Sequence, residues 1–387
     1  MQEGLVVVEG VPRLGWVMES PENGTQQSAY EIDIREALTG RSVWNSGKVN
    51  SSQSQLVSIE GADIRSGNLL NYIWRVRVWD ESGSPSQWSS DAKFRSVPDC
   101  FSSRKWIGAI TRQDAHLPEG RKFHGGELKK PEVKAAWEAV DTLAKKSIYL
   151  RKTFELGDIK GGSAGRKTSK RIVEATAYVC GLGFYEFSLN GKKVGDSEFA
   201  PLWSDYDKSV YYNTYDVTEL LQNGENAVGV LLGNGFYNVQ GGRYRKLQIS
   251  FGPPTLLFEL VINYEDGTCT TVHSDNDWKY DFSPVTFNCI YGGEDYDARR
   301  EQKGWNQIGF DDSHWRPVVV QEAPKGILRP QMAAPVKIME RYDIQKVTKL
   351  NAEQIASASI STKRTVDPSA FVLDMGQNLA GFPEITV

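Results

Sequence analysis

Residues 176–238 decide the fold, and they read TAYVCGLGFYEFSLNGKKVGDSEFAPLWSDYDKSVYYNTYDVTELLQNGENAVGVLLGNGFYN. Apolar side chains occupy every second position from Tyr185 to Leu189, which is the period that turns one face of a β-strand toward a core. Asn190 and Gly191 follow directly, and both accept the positive φ that a type I′ turn requires. The segment therefore predicts short strands joined by tight turns, with a hairpin near its start.

The second half of the segment repeats this pattern of strand and turn. Asp216 stands at the cap of one helical turn that ends at Asn223-Gly224, since aspartate favours helix starts and glycine favours helix ends. An apolar strand follows from Ala227 to Leu232. Taken together, these elements resemble a galactose-binding-like jelly roll, a β-sandwich found in many sugar-binding domains.

Three separated motifs make the resemblance narrower. They are YVCGLGFYEFSLNGKKVGD at 178–196, WSDYDKSVYYNTYDVTELL at 203–221 and GENAVGVLLGNGFY at 224–237. In this order they resemble the N-terminal β-domain of bacterial α-L-rhamnosidases of the glycoside hydrolase family 78 type. FNCIYGGEDYDAR at 287–299 resembles the same domain. The resemblance implies a jelly roll over residues 147–321.

The chain before this domain also has the pattern of a β-sandwich. Residues 1–97 contain short strands at regular spacing, and in the strand 72–80 Tyr72, Trp74 and Val76 share one face. This region resembles a fibronectin type III or immunoglobulin-like module. PRLGW at 12–16 and VWNSGKV at 43–49 also resemble the usual beginning of α-L-rhamnosidases.

The connection 98–146 predicts one long helix, because Pro131 suits a first helical turn and an apolar stripe follows it. The stripe consists of Val133, Trp137, Val140 and Ala144. Residues 322–387 resemble the start of a concanavalin-like β-domain, and we expect that domain to be incomplete in this chain. The predicted fold is therefore all-β: a fibronectin-III/Ig-like sandwich, a jelly-roll sandwich and the start of a further β-sandwich.

Composition limits the classes of partner. The 387 residues carry a formal net charge of −4, so no nucleic acid is expected as a partner, even at the basic stretch 160–171. Eleven Trp and sixteen Tyr favour β-structure and agree with carbohydrate partners, although such rings also fill sandwich cores. No apolar run predicts a membrane span. No signal peptide is recognised, so a periplasmic or extracellular location is expected only if the parent protein is exported.

The family resemblance implies hydrolysis of terminal α-L-rhamnose with inversion, from glycosides or polysaccharides. Inverting enzymes use two carboxyl groups ~6.5 to 9.5 Å apart, and in this family both belong to an (α/α)6 barrel that follows the β-domains. This sequence has no repeated helical pairs, so we expect no catalytic residues in it. The main partner of this chain is then expected to be the missing C-terminal catalytic barrel of the same parent protein. Two alternatives are a stand-alone carbohydrate-binding protein and a purely structural β-sandwich protein.

Sugar binding by the jelly roll would use polar and aromatic groups on loops at one end of the sandwich. The candidates for a rhamnose-containing carbohydrate are Asn234, Tyr237, Asn238, Arg243, Tyr244, Glu294 and Asp297. No cofactor is required, and Ca²⁺ is the ion that the carboxylates near Glu294 could hold. The alternative for these carboxylates is a polar turn with Arg299 and Arg300 as charge partners.

Overall fold

The computed structural model of the protein describes residues 6–8, 11–37, 39–64, 71–96, 104–118, 123–157, 159–160, 167–168, 170–241, 247–351, 353–354 and 370–384. Contacts divide the chain into two units, Met1–Val336 and Lys337–Val387. Among the described residues, strands far outnumber the one α-helix, Pro131–Glu138, and the short 3-10 turns, which confirms the all-β prediction. No described helix is long and apolar enough to cross a membrane.

The N-terminal module is a five-stranded sheet that packs a short strand pair over its core. The order in the sheet is Val6–Val8, Ala92–Ser96, Asn71–Asp80, Gln27–Glu36 and Ser42–Asn45, and the pair is Arg13–Leu14 with Val57–Ser58. Tyr72, Trp74 and Val76 are buried together with Ile32 and Trp16. The predicted face of the strand at 72–80 is therefore the core face.

The jelly roll consists of two large sheets. The six-stranded sheet has the order Lys192–Lys193, Tyr185–Leu189, Gly224–Leu232, Ile148–Leu156, Lys279–Phe282 and Arg316–Pro317. The seven-stranded sheet has the order Val319–Gln321, Trp106–Gly108, Thr255–Tyr264, Ile172–Leu182, Ser209–Asp216 and Ile327–Pro330, with Cys269–His273 also paired to Thr255–Tyr264. Two strands of this sheet, Trp106–Gly108 and Ile327–Pro330, lie outside residues 147–321, the predicted limits of the jelly roll. Those domain limits remain a prediction.

Smaller elements complete the first unit. The remaining strands are Phe123–His124, Ile159–Lys160, Lys167–Thr168, Ser197–Glu198, Asn238–Val239, Leu247–Ser250, Val285–Cys289 and Gly293–Tyr296, and the strand Val336–Lys337 includes the last residue of this unit and the first of the next. The 3-10 turns are Glu127–Lys129, Thr142–Lys145, Thr218–Leu220 and Ala298–Arg300. In the second unit, Lys346–Leu350 pairs antiparallel with Ala370–Asp374.

From Ala175 onward, the strand Ile172–Leu182 is buried on both faces. Ala175, Ala177 and Val179 lie in the core between the two large sheets, whereas Tyr178 and Cys180 lie in a second cluster on the other face. Side chains alternate between the two faces of the strand as expected, but both faces pack against apolar clusters and neither is polar. Cys180 is buried and is therefore a small core residue, and its burial raises the pKa of the thiol.

The predicted Asn-Gly hairpin turn is confirmed, whereas the predicted cap at Asp216 is wrong, because Val217 is the N-cap of the turn Thr218–Leu220. Asn190 and Gly191 have φ of 51° and 81°, and Leu189 pairs with Lys192 across a two-residue loop. The Asp216 side chain accepts a hydrogen bond from the Thr218 backbone N–H at 3.0 Å. That turn is a 3-10 turn of three residues rather than an α-helical one.

The predicted helix is present as Pro131–Glu138, eight residues long. It is shorter than the apolar stripe because Asp141 starts a separate 3-10 turn and accepts a hydrogen bond from the Leu143 N–H. All four stripe residues nevertheless pack in one cluster with Ile110, Ala115 and Leu117. The apolar stripe predicted the buried side chains correctly, although the helix ends at Glu138, near the middle of the stripe.

Arg95 joins the N-terminal module to the jelly roll. Its side chain is fully buried and forms an ion pair with Glu174 on the seven-stranded sheet. It also donates to Asn71 Oδ1 at 2.6 Å, to Thr176 Oγ1 at 2.6 Å and to the Tyr178 hydroxyl at 3.0 Å. Since these partners belong to both domains, the guanidinium fixes one against the other.

Candidate carbohydrate-binding end of the jelly roll

The loop after the strand Gly224–Leu232 is held by close backbone packing. Gly183 has φ +102°, and a Cβ there would lie 2.0 Å from the Gly233 carbonyl oxygen. Gly235 in turn has φ +50° and packs on the backbone of Gly183. Only glycine fits at such an approach, so the two turns fix the positions of the side chains that follow each of them.

Asn234 and Asn238 belong to a buried amide cluster. Asn234 Nδ2 donates to the carbonyl oxygens of Lys145 at 3.0 Å and Asn288 at 3.2 Å. Asn238 Nδ2 donates to the Ala144 carbonyl oxygen at 2.6 Å and to Asn234 Oδ1 at 2.9 Å. Both residues are fully buried. These amides tie three chain segments together, which gives them a structural role that does not depend on a ligand.

Asn288 extends this amide cluster toward the later turn. Its Oδ1 accepts from the Asn234 N–H at 2.7 Å, and its Nδ2 donates to Ser147 Oγ at 2.7 Å. The strand register places Glu294 opposite Asn288. The structure therefore brings three of the predicted residues, Asn234, Asn238 and Glu294, to one neighbourhood. Of these, Glu294 is the exposed one.

The other predicted residues lie elsewhere or outside the description. Tyr237 is buried and packs edge-on against Tyr206, with ring centroids 5.1 Å apart. Arg243 and Tyr244 lie outside the described residues. The role of all seven candidates in sugar binding stays a prediction.

Asp297 is engaged by its own turn. Its carboxylate forms ion pairs with Arg299 Nε at 2.8 Å and Arg300 Nε at 3.5 Å. The hydrogen bond from the Arg299 side chain is the main cause that lowers the pKa of Asp297 to about 2. This arrangement supports the polar-turn alternative for Asp297. Among the described residues, no group of three or more His, Cys, Asp or Glu side chains is arranged to hold a metal ion.

A cluster of aromatic side chains beside the amide cluster was missed by the sequence analysis. This aromatic surface consists of Phe184, Phe199, Trp203, Phe236 and Tyr291. Trp203 is 65% exposed and stacks on Phe236, with centroids 5.1 Å apart and planes at 23°. Phe236 contacts both Phe184 and Tyr291 edge-on at 6.1 Å. Large exposed aromatic clusters mark interaction sites more often than isolated apolar residues do.

The backbone holds part of this surface out toward solvent. Phe199 is 51% exposed and has φ +54°, a region that costs a residue with a Cβ roughly 1–2 kcal/mol. Phe184 and Phe236 each follow a glycine turn, Gly183 and Gly235. The repeated Gly-Phe pair was the signal that could have found the aromatic surface in the sequence.

Five described carboxyl groups have a lowered pKa. They are Asp80, Asp266, Asp297, Asp311 and Asp312.

Two family models match the chain. Residues 170–340 match the α-L-rhamnosidase N-terminal domain, and residues 1–97 match the Rha78A-like N-terminal immunoglobulin domain. An α-L-rhamnosidase of Formosa agariphila is 34% identical over 97% of this chain and 37% of its own length. One from Alteromonas sp. (strain LOR) is 30% identical over 97% of this chain and 36% of its own length.

Solved structures give the same result. The native α-L-rhamnosidase of Aspergillus terreus superposes with a TM-score of 0.71 at 28% identity, over 97% of this chain and 37% of that chain. The enzyme of Dictyoglumus thermophilum gives 0.61 at 29% identity, over 89% and 35%. The chain spans between 36% and 48% of the length of the curated relatives it matches.

Proposed function

The chain belongs to the α-L-rhamnosidase family through its N-terminal domains, and we propose that it is the accessory β-region of an enzyme that hydrolyses terminal α-L-rhamnose from glycosides or polysaccharides. The observation that carries this proposal is the order of two matches, the immunoglobulin domain at 1–97 and the N-terminal domain at 170–340. The alignment with the Formosa agariphila relative over 97% of the chain supports the same conclusion.

The chemical step belongs to a catalytic (α/α)6 barrel elsewhere in the whole protein, which the sequence resemblance implies. The barrel would supply one carboxylic acid for the leaving oxygen and one carboxylate to activate water. The β-region would position the barrel, and the ion pair of Arg95 with Glu174 supports a rigid positioning role.

A direct assay tests this division of labour. The purified chain should release no product from an aryl α-L-rhamnoside, whereas the whole protein should release L-rhamnose with inverted anomeric configuration, followed by proton NMR. Inactivity of the whole protein on α-L-rhamnosides would contradict the proposal. Turnover by the chain alone that scales with its concentration through repurification would contradict the division between domains.

The jelly roll's own contribution is weak binding of rhamnose or a galactose-type sugar. The aromatic surface supports this, because a flat exposed ring such as Trp203 covers the apolar C–H face of a sugar. The exposed carboxylate of Glu294, on the strand beside the amide cluster, would accept hydrogen bonds from sugar hydroxyl groups. A shallow site of this kind binds with a millimolar Kd, roughly −4 kcal/mol.

Titration of L-rhamnose by NMR tests the binding role. Trp203→Ala and Glu294→Gln should each weaken the response without unfolding, since both side chains are exposed. Tyr342→Ala, an exposed aromatic in the other unit, is the matched control. Repeating the titration with Ca²⁺ tests whether carboxylates near Glu294 take up that ion. Absence of any response at high millimolar sugar would favour the purely structural alternative, which the buried amide cluster already supports.

The cellular compartment of this chain is that of the whole protein to which it belongs. We infer a periplasmic or extracellular location if that protein is exported, and cell fractionation with an antibody against this chain tests it.

A further inference from the structure

The aromatic surface exposes more ring area than a single sugar can cover. Trp203, Phe199 and Tyr291 are 65%, 51% and 44% exposed. Phe199 contacts Phe184, whereas Trp203 and Tyr291 both contact Phe236. Within the described part of the chain, no ring contact joins any two of the three exposed rings. The surface therefore meets solvent at three separate rings, and one pyranose ring stacks on only one of them.

The loop that carries Phe199 and Trp203 is anchored at its base. Between the two rings, the carbonyl oxygen of the buried Ala200 accepts a hydrogen bond from the Tyr185 N–H at 2.9 Å. The Leu202 N–H then donates to the side chain of Gln331 at 2.9 Å. Because these bonds form within the protein, the loop is held without a ligand. A ring held in this way loses less conformational entropy when it binds.

Phe199 is costly where it stands. Its φ of +54° is unfavourable for a residue with a Cβ, and half of its side chain is in contact with water. Its ring contact with Phe184, at 5.5 Å between centroids, leaves that half exposed. Backbone strain of this kind is concentrated at sites that bind ligands. The strain and the exposure together point to a contact that Phe199 makes with a bound molecule.

The surroundings of the rings are polar. Every residue of the strand Gly293–Tyr296, which follows Tyr291, is exposed, and Glu294 and Asp295 belong to it. Carboxylates accept hydrogen bonds from hydroxyl groups and repel a ligand that carries an acid. Exposed rings beside such acceptors suit a neutral sugar. A 6-deoxy sugar such as rhamnose suits them further, because its methyl group adds apolar surface for the rings to cover.

We propose that the aromatic surface binds a chain of neutral sugar residues, with one sugar residue against each of Trp203, Phe199 and Tyr291. The ligand is then an oligosaccharide segment of a rhamnose-containing polysaccharide rather than a single terminal sugar. This inference deepens the binding role proposed above and rests on it. Contacts along several sugar residues would retain a polysaccharide on the protein more firmly than one shallow contact does.

Methyl α-L-rhamnoside and the methyl glycoside of a linear, α-linked L-rhamnose trisaccharide are the probes. In NMR titrations of the complete chain, we expect the trisaccharide to bind at least about tenfold more tightly, because each further aromatic contact contributes a few-fold. A single subsite would give a gain of at most about threefold, since the trisaccharide merely offers three residues to it. The size of the gain therefore distinguishes an extended surface from one subsite.

Two variants locate the additional contacts. Phe199→Ala and Tyr291→Ala should each lower the gain of the trisaccharide over the monosaccharide, and the double variant should bring it down to about threefold. Phe371→Ala is the matched control, because Phe371 is a phenylalanine of similar exposure, 56%, in the other unit. It should leave the gain unchanged. Thermal melting of each variant checks that the protein remains folded.

The outcomes separate this inference from the binding role on which it rests. A gain of about threefold or less, with the monosaccharide still bound, would overturn the extended surface and leave binding of a single sugar intact. Equal losses with Phe199→Ala and Phe371→Ala would also overturn it. If neither sugar binds, both the binding role and this inference fail, and the aromatic surface is left for a contact with the rest of the whole protein. The titrations involve no hydrolysis, so they are independent of the assay on aryl α-L-rhamnosides.

Discussion

Replacing Arg95 by methionine should loosen the N-terminal module from the jelly roll. The guanidinium is fully buried, whereas the Glu174 side chain remains 22% exposed. Truncating one partner of a buried ion pair costs about 3–5 kcal/mol, because the other charge is left without compensation. Water can reach Glu174 in part, so we expect the lower end, about 3 kcal/mol. The loss of donors to Asn71 and Thr176 adds to the same effect.

Urea unfolding followed by tryptophan fluorescence measures this cost. With an m-value of about 3 kcal/mol per M, the midpoint should fall by about 1 M. Arg41→Met is the matched control, because Arg41 forms an exposed ion pair with Glu36 in the same module, and it should shift the midpoint very little. The double variant Arg95→Met with Glu174→Gln should recover roughly 1–2 kcal/mol, since the uncompensated carboxylate is gone.

The reasoning is refuted if Arg95→Met costs less than about 1 kcal/mol, or if the double variant is no more stable than the single one. The first result would show that the pair is solvated in solution. The second would show that shape, rather than charge, holds the two domains together.

Three further predictions concern the jelly roll. Gly183→Ala should lower the stability measured by thermal unfolding several times more than Gly267→Ala does. Both glycines have positive φ, but a Cβ at Gly183 would lie 2.0 Å from the Gly233 carbonyl oxygen, whereas a Cβ at Gly267 would meet no other atom. Equal losses of stability would disprove the packing argument. Tyr206→Phe should leave stability unchanged or raise it slightly, because the buried Tyr206 hydroxyl has no hydrogen-bond partner among the described residues. Tyr185→Phe should instead cost about 1 kcal/mol, because the Tyr185 hydroxyl forms hydrogen bonds with Asn213 and Tyr215 at 2.9 Å. Chemical unfolding of the two variants in parallel measures the difference. Burial raises the pKa values of Tyr149 and Tyr215 from 10.0 to about 12. Since the unfolded chain loses these protons at lower pH than the folded protein, the stability they contribute is intact below pH 10 and should fall as the pH rises through 12. Tyr215→Phe should make that fall in urea midpoints smaller between pH 9 and 12, and an unchanged slope would count against the burial effect.

Local signals predicted the strands and turns because they depend on near neighbours. Asn190 and Gly191 require only their own backbone preferences, and the hairpin formed as expected. The helix Pro131–Glu138 shows where such reasoning ends, because the apolar stripe records which side chains are buried and not where the backbone changes from α to 3-10. Likewise, no local signal could show that Trp106–Gly108 and Ile327–Pro330 complete a sheet whose other strands lie between them in the sequence.

The candidate site was harder to predict for a physical reason. Polar residues in loops suggest a ligand, but an asparagine can equally satisfy buried backbone groups, as Asn234 does for Lys145. Sequence pattern does not separate these uses, since both need an amide at a turn. The aromatic surface escaped because its residues come from four separate segments, and the proximity of Trp203 to Phe236 exists only in three dimensions.

The seam between Trp106–Gly108 and Val319–Gln321 also has a consequence for folding during synthesis. The hydrogen bond from Gln321 Nε2 to the Ile110 carbonyl oxygen joins positions 211 residues apart. At a translation rate of about 5–20 residues per second, the earlier strand waits roughly 10–40 s for this second neighbour. Ile107, fully buried in the finished protein, can pair with Leu256 before that, since Thr255–Tyr264 is made earlier than Val319–Gln321. The edge of the seven-stranded sheet at Val319–Gln321 is therefore among the last parts of that sheet that can form during synthesis, together with the strand Ile327–Pro330.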